Sequence, residues 1–147
     1  MSTTVRFIEP DAHLFAEAAA LRYKTLYADL GLPAAPDFDD GATEANHVVA
    51  LSGGHVVGYL RMNLRATTAQ LRHLAVAESV RGAGIGGMLV DAAVQHARDA
   101  GAATAWVNAR FTAIGFWRRV GFDVMPEGLT QAEQTRIPHK RMVRRLH

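Results

Sequence analysis

A glycine-rich turn near the middle of the chain has the residues needed to bind phosphate. Residues 81–86 read Arg-Gly-Ala-Gly-Ile-Gly, between an apolar stretch that predicts a strand and an amphipathic stretch that predicts a helix. Because glycine has no Cβ atom, the backbone can approach an anion closely. The first amides of a helix have no partner within the helix and lie at its positive end. The guanidinium of Arg81 adds a planar set of donors that suits phosphate oxygens.

A dinucleotide-binding domain is the alternative interpretation of this turn, since Gly82, Gly84 and Gly87 have the required spacing. That fingerprint expects a strand that runs directly into the first glycine and an acidic residue about 20 positions later for the ribose. The corresponding region offers Ala105 and Asn108, and the remaining chain is too short for the other strands. The dinucleotide interpretation is therefore disfavoured.

Three sequence blocks, in the same order, resemble the GNAT superfamily of N-acyltransferases. The pattern Arg-x-x-Gly-x-Gly follows an apolar strand at residues 71–76, as the acyl-CoA motif of that superfamily does. Asn108 ends the next predicted strand, and residues 116–122 resemble the Phe-Tyr-x-x-x-Gly-Phe segment of the superfamily. The resemblance covers residues 47–125 well, and the two ends resemble the ElaA-like branch of small bacterial GNAT proteins more loosely.

This resemblance implies an enzyme that uses acetyl-CoA as a cosubstrate and transfers the acetyl group directly to an amine of a small molecule or protein. It also implies that the strands beside the motif helix diverge, so that the pantetheine arm pairs with an exposed strand edge. The residues that it assigns to acetyl-CoA are Leu74, Ala75, Val76, Arg81, Gly82, Ala83, Gly84, Ile85, Gly86, Asn108 and Trp117.

The general base is the first departure from the pattern of the superfamily. An alkyl ammonium group has a pKa of about 10.4, so a base must remove a proton before the amine attacks. Many GNAT enzymes have a glutamate eleven residues before the arginine of the motif, but this chain has Gln70, which cannot accept a proton. His73 is the candidate base, with a structural or exposed histidine as the alternative. Glu78 is better interpreted as a solvated loop carboxylate.

The general acid is the second departure, because Trp117 occupies the position of the usual tyrosine. An indole N–H donates a hydrogen bond but is not a usable acid, so Trp117 is assigned a positioning role. Three accounts remain open for the departing thiolate. Water protonates it, another tyrosine such as Tyr59 does, or the chain binds acyl-CoA with little turnover. The third account defines the alternative function, an acyl-CoA-binding sensor of the same fold.

The composition indicates an ordinary folded domain. The 147 residues are 49% hydrophobic and 20% charged, which suits one domain over residues 1–147. Cysteine is absent, which excludes disulfides and a thiol nucleophile. No signal segment and no stretch near the roughly 18 apolar residues of a membrane span are evident, so a cytoplasmic protein is expected.

The charge and the histidines of the chain give no indication of a nucleic-acid partner or of a metal site. A net charge of +2 does not imply a nucleic-acid partner, and the basic run at residues 140–145 is interpreted as a solvated edge strand. His47 and His139 lack the spacing of a metal site, so no metal is predicted. The acidic cluster Asp37, Asp39 and Asp40 would favour a cationic acceptor if it borders the acceptor site. Homodimer formation is left open.

The strands and helices that must position these residues can be predicted from the spacing of apolar residues, which alternates along the chain between the period of a strand and that of a helix. The pattern predicts an α+β fold with a mixed, mostly antiparallel central sheet. The resemblance to the GNAT superfamily further implies helices on both faces of the sheet and a splayed parallel strand pair at the CoA site. Strands are expected around Val5 and Phe7 and at residues 47–51, 55–60, 70–76, 104–108, 122–124 and 141–146. Helices are expected from Asp11 to about residues 31–33, at 84–100 and at 113–120. The apolar side of the second helix is expected to consist of Ile85, Met88, Leu89, Ala92, Ala93, His96 and Ala97.

Overall fold

A mixed β-sheet with three α-helices forms the computed structural model, which describes residues 2–9, 13–28, 45–125, 130–131 and 138–147. The strands of the described residues are β1 (Thr3–Ile8), β2 (Ala45–Ser52), β3 (His55–Arg65), β4 (Thr68–Val76), β5 (Thr104–Arg110), β6 (Asp123–Val124), β7 (Thr130–Gln131) and β8 (Pro138–Arg145). The helices are α1 (Leu14–Leu26), α2 (Ile85–Asp99) and α3 (Ile114–Arg119).

The strand order in the sheet is β1-β2-β3-β4-β5-β8-β6, and β7 pairs with β8. All neighbouring strands are antiparallel except β4 and β5, which are joined through α2 and run parallel. The β2–β3 hairpin turns at Gly53 and Gly54, both with positive φ, as the paired glycines predict. The expected mixed, mostly antiparallel sheet is confirmed.

The parallel pair β4–β5 is joined over only part of its length. The pairing runs from Thr68 opposite Thr104 to Leu71 opposite Val107 and then stops. Beyond this point, among the described residues, β4 continues only against β3, and β5 continues only against β8. The two strands therefore diverge toward their carboxyl ends, which is the predicted splayed pair.

Helices cover both faces of the sheet, as expected. Val48 and Val49 are adjacent in β2 and therefore point to opposite faces. Val48 belongs to the larger hydrophobic core with α2, whereas Val49 packs in a smaller cluster with Leu14 and Ala18 of α1. We call these two sides the α2 face and the α1 face.

The helical boundaries and the buried side of α2 differ in detail from the expectation. α1 ends at Leu26, several residues earlier than expected, and α2 buries Val90 and Val94 while Met88 is 37% exposed. The buried stripe is thus rotated toward Val90 and Val94, whose side chains pack in the core of the α2 face.

Several sequence expectations fall outside this description or need correction. Asp11 and the cluster Asp37, Asp39 and Asp40 lie outside the described residues. Strand β8, which carries the basic run, is paired on both sides rather than lying at an edge. No helix of the described residues is long and apolar enough to cross a membrane.

Candidate active site

The glycine-rich turn forms a tight connection from β4 to α2. A short 3₁₀ turn, Glu78–Val80, follows β4, and the chain then passes through Arg81 to Gly84. Gly82 and Gly84 have φ of 86° and 83°, a backbone conformation that side chains with a Cβ atom rarely adopt. Glycine at these two positions is therefore required by the shape of the turn itself.

The N-terminus of α2 is left open for an anion. Gly84 caps the helix without a side-chain hydrogen bond, and the first turn has no acidic residue. Within the described part of the chain, neither a capping side chain nor an acidic residue of the first turn therefore accepts from its amides at the positive end of the helix. Gly82, Ala83 and Gly84 are exposed, whereas the Ile85 side chain is buried in the core. Ile85 can thus contribute to a ligand site only through its backbone.

Gly86 has a packing role that glycine spacing alone does not reveal. A Cβ atom at this position would lie 2.9 Å from Cε1 of Phe116. The Phe116 ring of α3 therefore rests directly on the first turn of α2, and Gly86 permits that approach. The sequence shows the glycine-rich turn and the segment at residues 116–122 as separate motifs, but it does not show that Gly86 and Phe116 touch.

Arg81 is exposed at the start of the turn, where its Nε donates to the carbonyl of Val76 at 3.3 Å. This bond holds the side chain against the end of β4. A guanidinium carries five N–H donors, so one such bond leaves others for a phosphate.

The carboxyl-terminal end of β4 presents its edge to the opening between β4 and β5. Leu74, Ala75 and Val76 have no ladder partner on the β5 side among the described residues. The Ala75 side chain is buried opposite Tyr59 of β3, so the strand is held firmly on its other side. The three residues that the resemblance assigns to the pantetheine arm thus form an available strand edge.

Asn108 is the first residue of β5 beyond the last pair with β4. Its Oδ1 accepts a hydrogen bond of 3.2 Å from Nε of Arg141, whose guanidinium lies 4.3 Å from the Trp106 ring centre. Asn108 is therefore placed at the opening, with its side chain already engaged by β8.

Trp117 is buried in the core, at 4% exposed. Its ring makes edge-to-face contacts with Phe116 and Phe122, each with ring centres 5.2 Å apart. Any effect of Trp117 on a ligand would therefore act through the packing of α3 on α2. Its positioning role stays a prediction.

His73 lies at a bulge in β4. The β3–β4 register shifts between Tyr59 and Arg61, and His73 has a φ of 61°, in the left-handed region. Its Nε2 lies 3.4 Å from Nη2 of Arg22 in α1. Its Nδ1 is shielded from solvent and has no hydrogen-bond partner among the described residues.

The charge state of His73 is set by this environment. Burial is the largest effect that lowers its pKa well below the usual 6.5, followed by the positive charges of Arg22, Arg72, Arg61 and Arg110. Because a guanidinium only donates hydrogen bonds, Nε2 must be the acceptor, and the neutral ring carries its proton on Nδ1. Protonation of Nε2 would break this bond and place two cations together.

Gln70 and Tyr59 do not replace the general base and the general acid that the resembled superfamily usually has. Gln70 is half-buried in β4, in register with Asn63 of β3 and Trp106 of β5. Tyr59 is fully buried, and its hydroxyl lies 2.7 Å from Nδ1 of His47, which is also buried. The described arrangement therefore gives neither Tyr59 nor His47 access to a thiolate in the opening.

A cluster of arginines on the α1 face was not foreseen from the sequence. Arg22 and Arg61 are completely buried, and Arg72 and Arg110 are half-buried around His73. One signal was available, because Arg22 falls four residues after Ala18 on the buried stripe of a predicted helix. The other three arginines, Arg61, Arg72 and Arg110, lie on three different strands and are brought together only by the strand register and the bulge in β4.

No group of three or more histidine or acidic side chains that could hold a metal ion occurs within the described residues. His139 is buried in β8 opposite Arg110, and His47 is bonded to Tyr59.

Sequence comparisons with known proteins identify a family and a curated relative. The sequence matches the acetyltransferase (GNAT) family over residues 13–122. A curated relative, the uncharacterized N-acetyltransferase YjcF of Bacillus subtilis, is 28% identical over 128 residues, which are 87% of this chain and 90% of the relative.

Solved structures share the fold at low sequence identity. Escherichia coli ElaA superimposes with a TM-score of 0.80 at 17% identity, covering 96% of this chain and 99% of ElaA. An acyl-CoA N-acyltransferase from Pseudomonas aeruginosa has a TM-score of 0.79 at 21% identity, covering 97% and 99%. An aminoglycoside 6'-N-acetyltransferase complexed with coenzyme A has a TM-score of 0.77 at 14% identity, covering 98% and 97%. At these identities the likeness concerns the fold alone.

Proposed function

The chain belongs to the GNAT acetyltransferase family, and on that premise we propose that it transfers an acetyl group from acetyl-CoA to an amine of a small molecule or protein. The observation that carries the proposal is the junction of β4 and α2. There, among the described residues, a helix N-terminus without a side-chain cap and a strand edge without a ladder partner lie at the two ends of one turn.

The residues at this junction fit acetyl-CoA. The backbone amides of residues 82–86 suit the pyrophosphate, with Arg81 as an additional donor. The free edge of Leu74 to Val76 suits the amide groups of an extended pantetheine arm, since these can pair as an added strand would. A structural neighbour that is complexed with coenzyme A supports this assignment.

Bound acetyl-CoA supplies a thioester, whose C–S bond breaks as the amine nitrogen forms the new C–N bond and loses a proton. CoA leaves as a thiolate, which takes a proton from water. Besides its smaller apolar cluster, the α1 face carries the polar side chains of His73 and Arg110, on the parts of β4 and β5 that are not paired with each other. The amine therefore approaches from the α1 face. Because Nε2 of His73 already accepts a bond from Arg22, we assign removal of the amine proton to water rather than to His73.

Two measurements on the full chain test this proposal. Calorimetry should detect acetyl-CoA binding at micromolar to millimolar concentration, and thioester consumption with a panel of amines should depend on the amine. Binding without turnover on any amine would favour the alternative, a sensor of acyl-CoA. The absence of any binding at millimolar acetyl-CoA would refute both functions.

A further inference from the structure

Asn108 lies on β5 at the point where the two diverging strands separate. It directly follows Val107, the last residue of β5 that pairs with β4. Ala105, Val107 and Ala109 belong to the core of the α2 face. Because the side chains of a strand alternate between its two faces, the half-buried Asn108 points to the α1 face. It is therefore the first side chain of β5 beside the opening on the side from which the amine is proposed to approach.

The contact with Arg141 fixes the orientation of the Asn108 carboxamide. Arg141 is in register with Asn108 on β8, and its Nε donates to Oδ1 of Asn108 at 3.2 Å. A guanidinium donates and never accepts, so the amide atom that faces Arg141 must be the oxygen. The two N–H donors of Nδ2 are therefore on the other arm of the amide, and they have no hydrogen-bond partner among the described residues.

Arg141 is itself held from a second direction. Its Cζ atom lies 4.3 Å from the centre of the Trp106 ring, a distance at which a guanidinium is attracted to an aromatic face. Trp106 is in the paired part of β5, in register with Gln70 of β4. The paired part of the sheet thus holds Arg141, and Arg141 holds the amide of Asn108 at the start of the unpaired part.

The bond from Arg141 also changes how strongly Asn108 can donate. A charged donor on Oδ1 polarises the amide, so that the N–H groups of Nδ2 become stronger donors. Within the described part of the chain, no carboxylate forms an ion pair with Arg141 that would offset its charge. Nδ2 of Asn108 is therefore an oriented and polarised pair of donors beside the opening.

The assignment of acetyl-CoA brings its thioester end to this point. The pyrophosphate is assigned to the turn that follows Val76, and the pantetheine arm to the free edge from Val76 to Leu74. The thioester is at the far end of that arm, so it comes nearest to the last paired residues, Leu71 and Val107. Attack by an amine turns the thioester carbonyl oxygen into an oxyanion, and amide donors already placed at that oxygen lower the barrier.

We propose that Nδ2 of Asn108 donates to the thioester carbonyl oxygen and stabilises the oxyanion, and that Arg141 is the positioning residue that holds the amide. This inference rests on the proposed function and adds a catalytic residue to it. As the amine nitrogen bonds to the carbonyl carbon, the oxygen takes up negative charge. The C=O bond forms again when the C–S bond breaks, and the thiolate takes a proton from water. Asn108 donates a hydrogen bond throughout and neither gains nor loses a proton.

The first test compares the wild type with Asn108→Ala and Asn108→Asp, using the best amine of the panel. Aspartate has the size of asparagine and still accepts from Arg141, but at neutral pH it donates no hydrogen bond. Loss of one oxyanion donor should lower kcat by roughly 10²- to 10³-fold in both variants. The KM for acetyl-CoA should hardly change, because the interaction is made in the transition state. An unchanged kcat, or a raised KM with the kcat of the wild type, would overturn the proposal.

Variants of Arg141 test the positioning role. Arg141→Met keeps an apolar stem against Trp106 but donates no hydrogen bond, so kcat should fall by roughly tenfold. Arg141→Lys, which keeps a charged donor, should retain part of the rate. Arg145→Met is the control, because Arg145 is exposed on the same strand, opposite Thr104, and it should keep the kcat of the wild type. Arg141→Met should add no further loss to Asn108→Ala, and additive losses would contradict a role that acts through Asn108.

A second readout does not depend on turnover. Acetyl-CoA labelled with ¹³C at the acetyl carbonyl is bound to the protein without an amine, and NMR records the carbonyl resonance. A donor on the oxygen polarises the C=O bond and should move this resonance downfield from that of free acetyl-CoA. The shift should be lost in Asn108→Ala, reduced in Arg141→Met and kept in Arg145→Met. A shift that depends on Asn108, without transfer to any amine, would leave this contact standing while the proposed function fails. Equal shifts in the wild type and Asn108→Ala would remove the role of Asn108 alone.

Discussion

The imidazole of His73 and the guanidinium of Arg22 are joined across the α1 face, with Nε2 3.4 Å from Nη2. This contact links the bulge in β4 to a completely buried arginine of α1. It also fixes the neutral tautomer of His73, because a guanidinium offers only donors. Two of the predictions below follow from this contact, and the others follow from the glycine-rich turn and its neighbours.

The first prediction concerns the pH dependence of stability. The folded-state pKa of His73 lies well below 6.5, so below about pH 6.5 the unfolded chain binds more protons at this residue. The free energy of unfolding should therefore fall as pH falls from about 6.5 toward the folded pKa, by at most about 1.4 kcal/mol per pH unit from this residue. Urea unfolding at pH 7.5 and 5.5 measures it.

The variant for this experiment is His73→Asn, since asparagine tolerates the left-handed backbone at this position better than alanine does. Its loss of stability between the two pH values should be smaller than that of the wild type. His13→Gln, a change at an exposed histidine before α1, should lose as much stability as the wild type. An unchanged loss in His73→Asn would mean that His73 titrates normally.

The second prediction concerns catalysis. Because Nε2 of His73 is engaged by Arg22 and its protonation is disfavoured, kcat/KM should show no acid limb near pH 6.5. The profile of His73→Asn should have the same shape as that of the wild type. A wild-type limb that disappears in His73→Asn would identify His73 as the general base after all.

The third prediction separates binding from backbone strain in the glycine turn. Gly84→Ala and Gly101→Ala both place a Cβ atom in open space at strongly positive φ. Each should cost about 1–2 kcal/mol of stability. Only Gly84→Ala, at the N-terminus of α2, should weaken acetyl-CoA binding in calorimetry, because Gly101 follows the other end of the helix. Equal affinities in the two variants would count against the phosphate site.

The fourth prediction tests the contact between Gly86 and Phe116. Gly86→Ala places a Cβ atom 2.9 Å from the ring, so α3 or the ring must shift and stability should fall by about 1–3 kcal/mol. Phe116→Leu should recover part of this loss when combined with Gly86→Ala. A double-mutant cycle by thermal or urea unfolding measures the coupling, and additive effects would show that the two residues do not interact.

The fifth prediction concerns Trp117. Trp117→Tyr should cost about 1–3 kcal/mol, since a smaller ring and a hydroxyl enter a packed aromatic cluster. The Kd for acetyl-CoA should stay within about twofold, because the residue is only 4% exposed, and turnover should not fall once folding is controlled for. A large loss of kcat in a stable variant would show that the indole positions a reacting group.

Much of the fold could be predicted because its signals are local. The paired glycines at 53 and 54 specify a hairpin turn, and the period change at Ile85 specifies a helix. The crossover rule then makes β5 parallel to β4. The predictions of where α1 ends and of which side of α2 is buried were less accurate, because both depend on the neighbours against which each helix packs.

The sequence by itself determined the glycine-rich turn between β4 and α2, since glycine readily adopts the positive φ that Gly82 and Gly84 have there. It also determined that Gln70 and Trp117 replace the usual acid–base residues of the resembled superfamily. Only the tertiary structure decided that Phe116 rests on Gly86, and that His73 faces four arginines from four different elements. These contacts depend on long-range strand register, and one bulge in β4 changes which face His73 occupies, so no local pattern in the sequence encodes them.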